Sequence, residues 1–154
     1  MMGGGGGGGE LQQLSQELQA LEEEIEELET DVSDLQAEKT EIDEAIEALE
    51  TLETGSTVQV PLGGDAYVRA EVQDLDEVVV GLGGGYAAEQ SEGDAIETLE
   101  NKKDAVDDRI EDVNDEIDDL ESESSQLEQK AQQMQQQQMQ QQMQQMQQQE
   151  GDDE

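Results

Sequence analysis

The sequence predicts an α+β fold: a long antiparallel two-helix coiled coil joined by two β-hairpins that assemble with hairpins of other subunits into a shared sheet or an intersubunit β-barrel. Three observations predict it. Apolar residues recur at heptad spacing over two long stretches of equal length. The segment between them switches to strand alternation, punctuated by glycine. That segment holds too few large apolar groups to close a core alone. The expected divisions are a disordered Gly-rich N-terminus over 1–10, helix one over 11–54, two hairpins over 55–90, helix two over 91–134, and a Gln/Met-rich acidic tail, frayed or disordered, over 135–154.

Helix one carries its apolar residues at Leu11, Leu14, Leu18, Leu21, Ile25, Leu28, Val32 and Leu35, then at Ile42, Ile46 and Leu49. The steps alternate three and four, which makes a two-position seam with Leu11 at a and Leu14 at d. The 42 residues from Leu11 to Leu52 span roughly 63 Å as a helix. Such a helix cannot hide its seam alone. Gly55 is a plausible stop.

The middle segment reads as strands. Val58, Val60 and Leu62 alternate with Gln59 and Pro61, and Gly63-Gly64-Asp65 turns the chain. Ala66, Val68, Ala70 and Val72 then share one face, with Tyr67, Arg69 and Glu71 on the other. Asp74-Leu75-Asp76 is turn-like. Val78-Val79-Val80 is a β-branched strand, Gly83-Gly84-Gly85 a second turn, and Tyr86 opens a fourth strand. Pro61 belongs at an edge or a bulge.

Helix two begins near Ser91, an N-cap with Asp94 three residues on. Its seam runs Ile96, Leu99, Lys103, Val106, Ile110, Val113, Ile117, Leu120, Ser124, Leu127, Ala131 and Met134. Antiparallel pairing puts each a residue opposite a d residue, so facing numbers share one sum. Leu49 with Ile96 gives 145, as do Val32 with Val113 and Leu11 with Met134. Any antiparallel pair of strict heptads shares a phase. The informative point is that both seams have equal length and end together at the hairpins. At g, Glu17 would meet Lys130 and Glu38 would meet Arg109. Other flanking meetings, such as Glu24 with Glu123, join like charges.

Lys39 and Lys103 occupy a positions in adjacent layers, opposite Val106 and Ile42. They either fix register at a cost in stability or pack their stems while the ammonium groups reach nearby carboxylates; the second reading is favoured. From Gln132 to Gln149 there are 14 Gln and four Met, at 134, 139, 143 and 146. Composition alone leaves this as a frayed helix end or an adaptable apolar surface. Its place at the open end of the coiled coil, beside Leu11 and Leu14, favours the surface.

Composition excludes much. There are 43 acidic and six basic residues, a net charge of −37, two tyrosines, and no His, Cys, Trp or Phe. The charge disfavours nucleic acid and anionic membranes as partners. It suits a soluble protein of a salt-rich cytosol, whose self-repulsion salt screens. No thiolate or histidine metal site is possible, and no cofactor is expected. GLGGGY at 81–86 ends in Tyr rather than Gly and reads as a hairpin turn, not a nucleotide loop. DDRIEDVNDEIDD lacks the glycine and spacing of a calcium loop. Carboxylate pairs are everywhere, so none is diagnostic. The chain is not expected to be an enzyme. No membrane span or secretory signal is evident, so a cytoplasmic address is expected by elimination.

A two-stranded hairpin is marginal alone, and its edges invite strands from another chain. The candidate oligomerisation residues are therefore Val58, Val60, Leu62, Val68, Val72, Val78, Val79, Val80 and Tyr86.

The order helix, two hairpins, helix, with the segment LETGSTVQVPLGGDAYVRAEVQDLDEVVVGLGGGYAAEQ, resembles the α subunits of archaeal prefoldins over residues 11–134, and the acidity resembles haloarchaeal members. The resemblance implies a hetero-hexamer of two α and four β subunits, held by a double β-barrel built from hairpins. It also implies a co-chaperone that holds unfolded polypeptide at six coiled-coil tips, without ATP, and passes it to a group II chaperonin. The candidate client-binding residues at the tips are Leu11, Leu14, Leu18, Leu127, Met134, Met139, Met143 and Met146. The alternative is a structural tether or spacer that oligomerises through its hairpins.

The like-charge meetings across the seam make salt part of stability, each costing tenths of a kcal/mol. Helicity followed by circular dichroism should fall between molar and millimolar salt; unchanged helicity would show that repulsion does not matter.

Overall fold

The computed structural model describes residues 6–152 of the chain. In order these form α1 (Gly6–Thr51), β1 (Thr57–Gly63), β2 (Ala66–Glu71), β3 (Val78–Gly83), β4 (Tyr86–Gln90) and α2 (Glu92–Asp152). Two long helices thus enclose two antiparallel hairpins in the sequence, as expected. Of the disordered N-terminus expected over 1–10, residues 1–5 lie outside the described residues. Residues 6–10 are helical, although each glycine costs about 1 kcal/mol against alanine in a helix. The tail expected to fray over 135–154 is helical through Asp152. Gln and Met are good helix formers, and no Gly or Pro interrupts residues 94–150.

The chain divides into two compact units, Ser33–Glu111 and the pair of segments Met1–Val32 with Asp112–Glu154. In the first, α1 ends by donating Leu52 N–H to the Ala48 carbonyl. Gly55, with φ +92°, then turns the chain so that its N–H meets the Val72 carbonyl at 2.8 Å. The two hairpins are joined by an Asx turn, in which Asp76 N–H donates to Asp74 Oδ1 at 2.9 Å. Ser91 caps α2 as expected: its Oγ accepts from Asp94 N–H at 3.3 Å.

Two ion pairs cross the helices of this unit. Lys39 Nζ meets Asp107 Oδ1 at 2.6 Å. Lys103 Nζ meets Asp43 Oδ1 at 2.6 Å. As the α1 number rises by four, the α2 number falls by four, so the helices are antiparallel and both pairs sum to 146. The lysine stems lie over the seam, and the residues facing them, Val106 and Ile42, are buried. The ammonium groups reach the e-position carboxylates one residue beyond. This is the favoured packed-stem arrangement. The expected g-position pairs do not close. Glu38 and Arg109 line one groove and Glu17 and Lys130 another, yet among the described residues the ion pairs are the two lysine–aspartate ones. Long exposed side chains gain under about 1 kcal/mol from pairing, too little to hold one geometry.

In the second unit the same heptads continue. Leu14, Val113 and Ile117 are buried, and the other apolar seam residues half-buried. Ser124 is buried at an a position.

The Lys103 ammonium titrates above the ordinary lysine range. Its hydrogen bond to Asp43 is the main cause, opposed by desolvation and helped by the charges of Asp43, Asp107 and Asp104. A raised folded-state pKa stabilises fully below the unfolded lysine value, near 10.4, and the gain is lost as pH rises through the folded value. The thermal midpoint should therefore fall on moving from about pH 9 to about pH 11. The Lys103→Leu variant should have a higher midpoint and lack that alkaline step; an equal step in both proteins would remove the Lys103–Asp43 pair as its cause.

Candidate functional site

The hairpins share one construction at an offset of twenty residues. In the first, Val58 faces Ala70 and Val60 faces Val68, while Gln59–Arg69 and Pro61–Tyr67 fill the other face. Register shifts after Pro61, which leaves Leu62 as the bulged residue. Gly64 and Asp65, at φ +58° and +61°, then make the two-residue turn. Both central residues have positive φ, the type I′ pattern that matches strand twist. In the second hairpin Leu82 is the bulged residue, and Gly84 and Gly85 turn at φ +61° and +82°.

Each hairpin is its own two-stranded sheet, so every strand keeps an open edge. Of the nine candidate oligomerisation residues, Val80 is buried. Val58, Val72 and Val78 are half-buried. Val60, Leu62, Val68, Val79 and Tyr86 are exposed, with Leu62 at 67 % and Tyr86 at 77 %. Tyr67 and Leu82 are equally uncovered and were missing from the candidates. The twenty-residue offset, which sets Leu82 where Leu62 stands, is the sequence signal that finds Leu82. The second hairpin is tied down where Lys102 Nζ donates to the Gly81 carbonyl at 2.7 Å. In the same hairpin the Gln90 side-chain oxygen is buried without a donor, a cost of about 1–3 kcal/mol unless something supplies one.

The eight candidate tip residues divide. Leu14 is buried, and Leu11, Leu18, Leu127 and Met134 are half-buried in the seam. Met139, Met143 and Met146 are 68 %, 70 % and 70 % exposed. Their spacing of four and three puts them on one face of α2, together lining an open groove with Gln142, Gln145 and Gln149. In the register summing to 145, Met139 stands level with Gly6, so α2 runs on past the described start of α1. The layers just before are thin: Ser124 faces Leu21 and Ala131 faces Leu14. No group of acidic residues able to hold a metal ion occurs among the described residues. No described helix is long and apolar enough to cross a membrane.

The two long helices thus carry two hairpins with open edges and exposed apolar side chains. The family model described as Prefoldin subunit matches residues 21–137. The chain belongs to the prefoldin family, whose members are co-chaperones. It is 71% identical to the prefoldin subunit alpha of Halorubrum lacusprofundi over 111 residues, 72% of each chain. It is 72% identical to that of Halobacterium salinarum over 108 residues, 70% of each. Among solved structures it is similar to filamentous PFD from Methanocaldococcus jannaschii, at 26% identity and a TM-score of 0.64, covering 71% of this chain and 93% of that one.

The thin layers set how easily the seam opens near its end. Filling them with Ser124→Leu and Ala131→Leu should stabilise the chain by about 1–3 kcal/mol in all, read as a higher thermal midpoint. A lower midpoint would mean that these layers have no room to fill.

Proposed function

We propose that the chain is the α subunit of an ATP-independent holdase. It joins β subunits in a hetero-hexamer of two α and four β chains. The hairpins build the shared barrel, and the free helix ends hold unfolded polypeptide for a group II chaperonin in the cytoplasm. The observation that carries capture is the uncovered face Met139–Met143–Met146 on a charge-free run. Methionine is flexible and polarisable, so one face accommodates many apolar segments. Covering a methionine fully gains about 1.5–3 kcal/mol. Three partly covered ones give only weak binding once ordering costs are met. Useful affinity then comes from several arms acting on one client. The exposed hairpin valines and open edges support assembly. The tether alternative shares the hairpins but leaves the methionine face without a role.

The test mixes the chain with a haloarchaeal prefoldin β subunit in molar salt and follows aggregation of a denatured protein by light scattering. Deleting residues 132–154 and 1–18 should weaken protection severalfold while native mass spectrometry still finds the complex. Val60→Asp with Val68→Asp, which sets two carboxylates face to face across the first hairpin, should abolish the complex while helicity persists. Undiminished protection by the truncated chain would refute the capture surface, and a complex formed by the double aspartate variant would refute the barrel. No protection by the full chain would leave the tether.

A further inference from the structure

We propose that Met139, Met143 and Met146 form a reversible oxidation site that switches client capture off. The proposal rests on the capture reading above. Three observations point to it. The three thioethers are two-thirds exposed or more, whereas Met134 is half-buried against the seam. The chain has no cysteine, so no thiol competes for an oxidant. From Gln132 to Gln149 every other residue is Gln except the four methionines, so no charge anchors a client beside them. Apolar contact at these positions is then all-or-none in the state of the sulfur.

The oxidant class is a peroxide. The sulfur lone pair attacks one peroxide oxygen, the O–O bond breaks, and the other oxygen leaves as water after proton transfer. Sulfur loses two electrons and the peroxide gains them. The product sulfoxide is polar, and a face of three sulfoxides among glutamines has no apolar surface to offer. A dithiol reductant working through a methionine sulfoxide reductase reverses the step. It removes the oxygen as water and becomes a disulfide. The 14 glutamines of this run are themselves good helix formers, so helicity should persist in either state.

The experiment treats the full chain, assembled with its β partner in molar salt, with hydrogen peroxide. Peptide mass spectrometry then locates the added oxygens, circular dichroism reports helicity, and light scattering reports protection of a denatured client. The expected result is oxidation of Met139, Met143 and Met146 several-fold faster than Met134. Protection should be lost severalfold at constant helicity and restored by the reductase. M139L/M143L/M146L, compared with its own untreated protection, should show no change on peroxide treatment. The proposal is overturned if the parent protects fully once the three sulfoxides have formed, or if the leucine variant loses as much on treatment. M139Q/M143Q/M146Q separates the two readings. If it protects fully without peroxide, the capture surface lies elsewhere and both readings fail. If it loses protection while the oxidised parent keeps it, only the switch fails.

Discussion

The chain depends on two lysines placed where a coiled coil ordinarily puts apolar residues. Lys39 and Lys103 sit in adjacent seam layers, and each sends its ammonium across to an aspartate at 2.6 Å. Sliding either helix by one heptad would bring each ammonium opposite a different layer and leave Asp43 and Asp107 behind. The pairs are partly exposed, so each adds little to stability. Polar a positions can discriminate among otherwise equivalent heptad alignments, and these two ion pairs close in the alignment observed. The seam layers beside these pairs sum to 145, one less than the ion pairs themselves. Taken along the heptads of the other unit, 145 sets Met139 level with Gly6.

A second constraint comes from the hairpins. Forty residues of strand and turn hold two separate two-stranded sheets, and their valines, leucines and tyrosines stay largely uncovered. A folded monomer rarely keeps so much apolar side chain and so many open edges without a partner to cover them. The chain's charge, −37 overall, opposes association of such surfaces to the extent that salt does not screen it. Membership of the prefoldin family, whose subunits assemble into a complex, agrees with such a partner.

Most of the fold was legible in the sequence because its signals are periodic. Steps of three and four marked both helices. Alternation and glycine pairs marked both hairpins, and Ser91 marked the start of α2. Pro61 was placed at an edge or bulge and stands at both. What was not legible lacked periodicity or depended on side-chain reach. The Gln/Met tail keeps helix propensity after losing seam phase, so its extent to Asp152 could not be read from the heptad. The lysines bond to e-position aspartates, which a search for g-position partners passes over. Burial of Leu14 and exposure of Met139, Met143 and Met146 depend on which face α2 turns to α1. That face became clear for the tail only once the register was known.

The absence of native cysteine offers a direct measurement of that register. Leu28→Cys with Ile117→Cys places two thiols at a sum of 145, and Leu28→Cys with Ser124→Cys displaces one of them by a heptad. Under mild oxidation of the full chain, a single register requires fast disulfide formation in the first pair and none at comparable rate in the second. Equal cross-linking of the two pairs would contradict it.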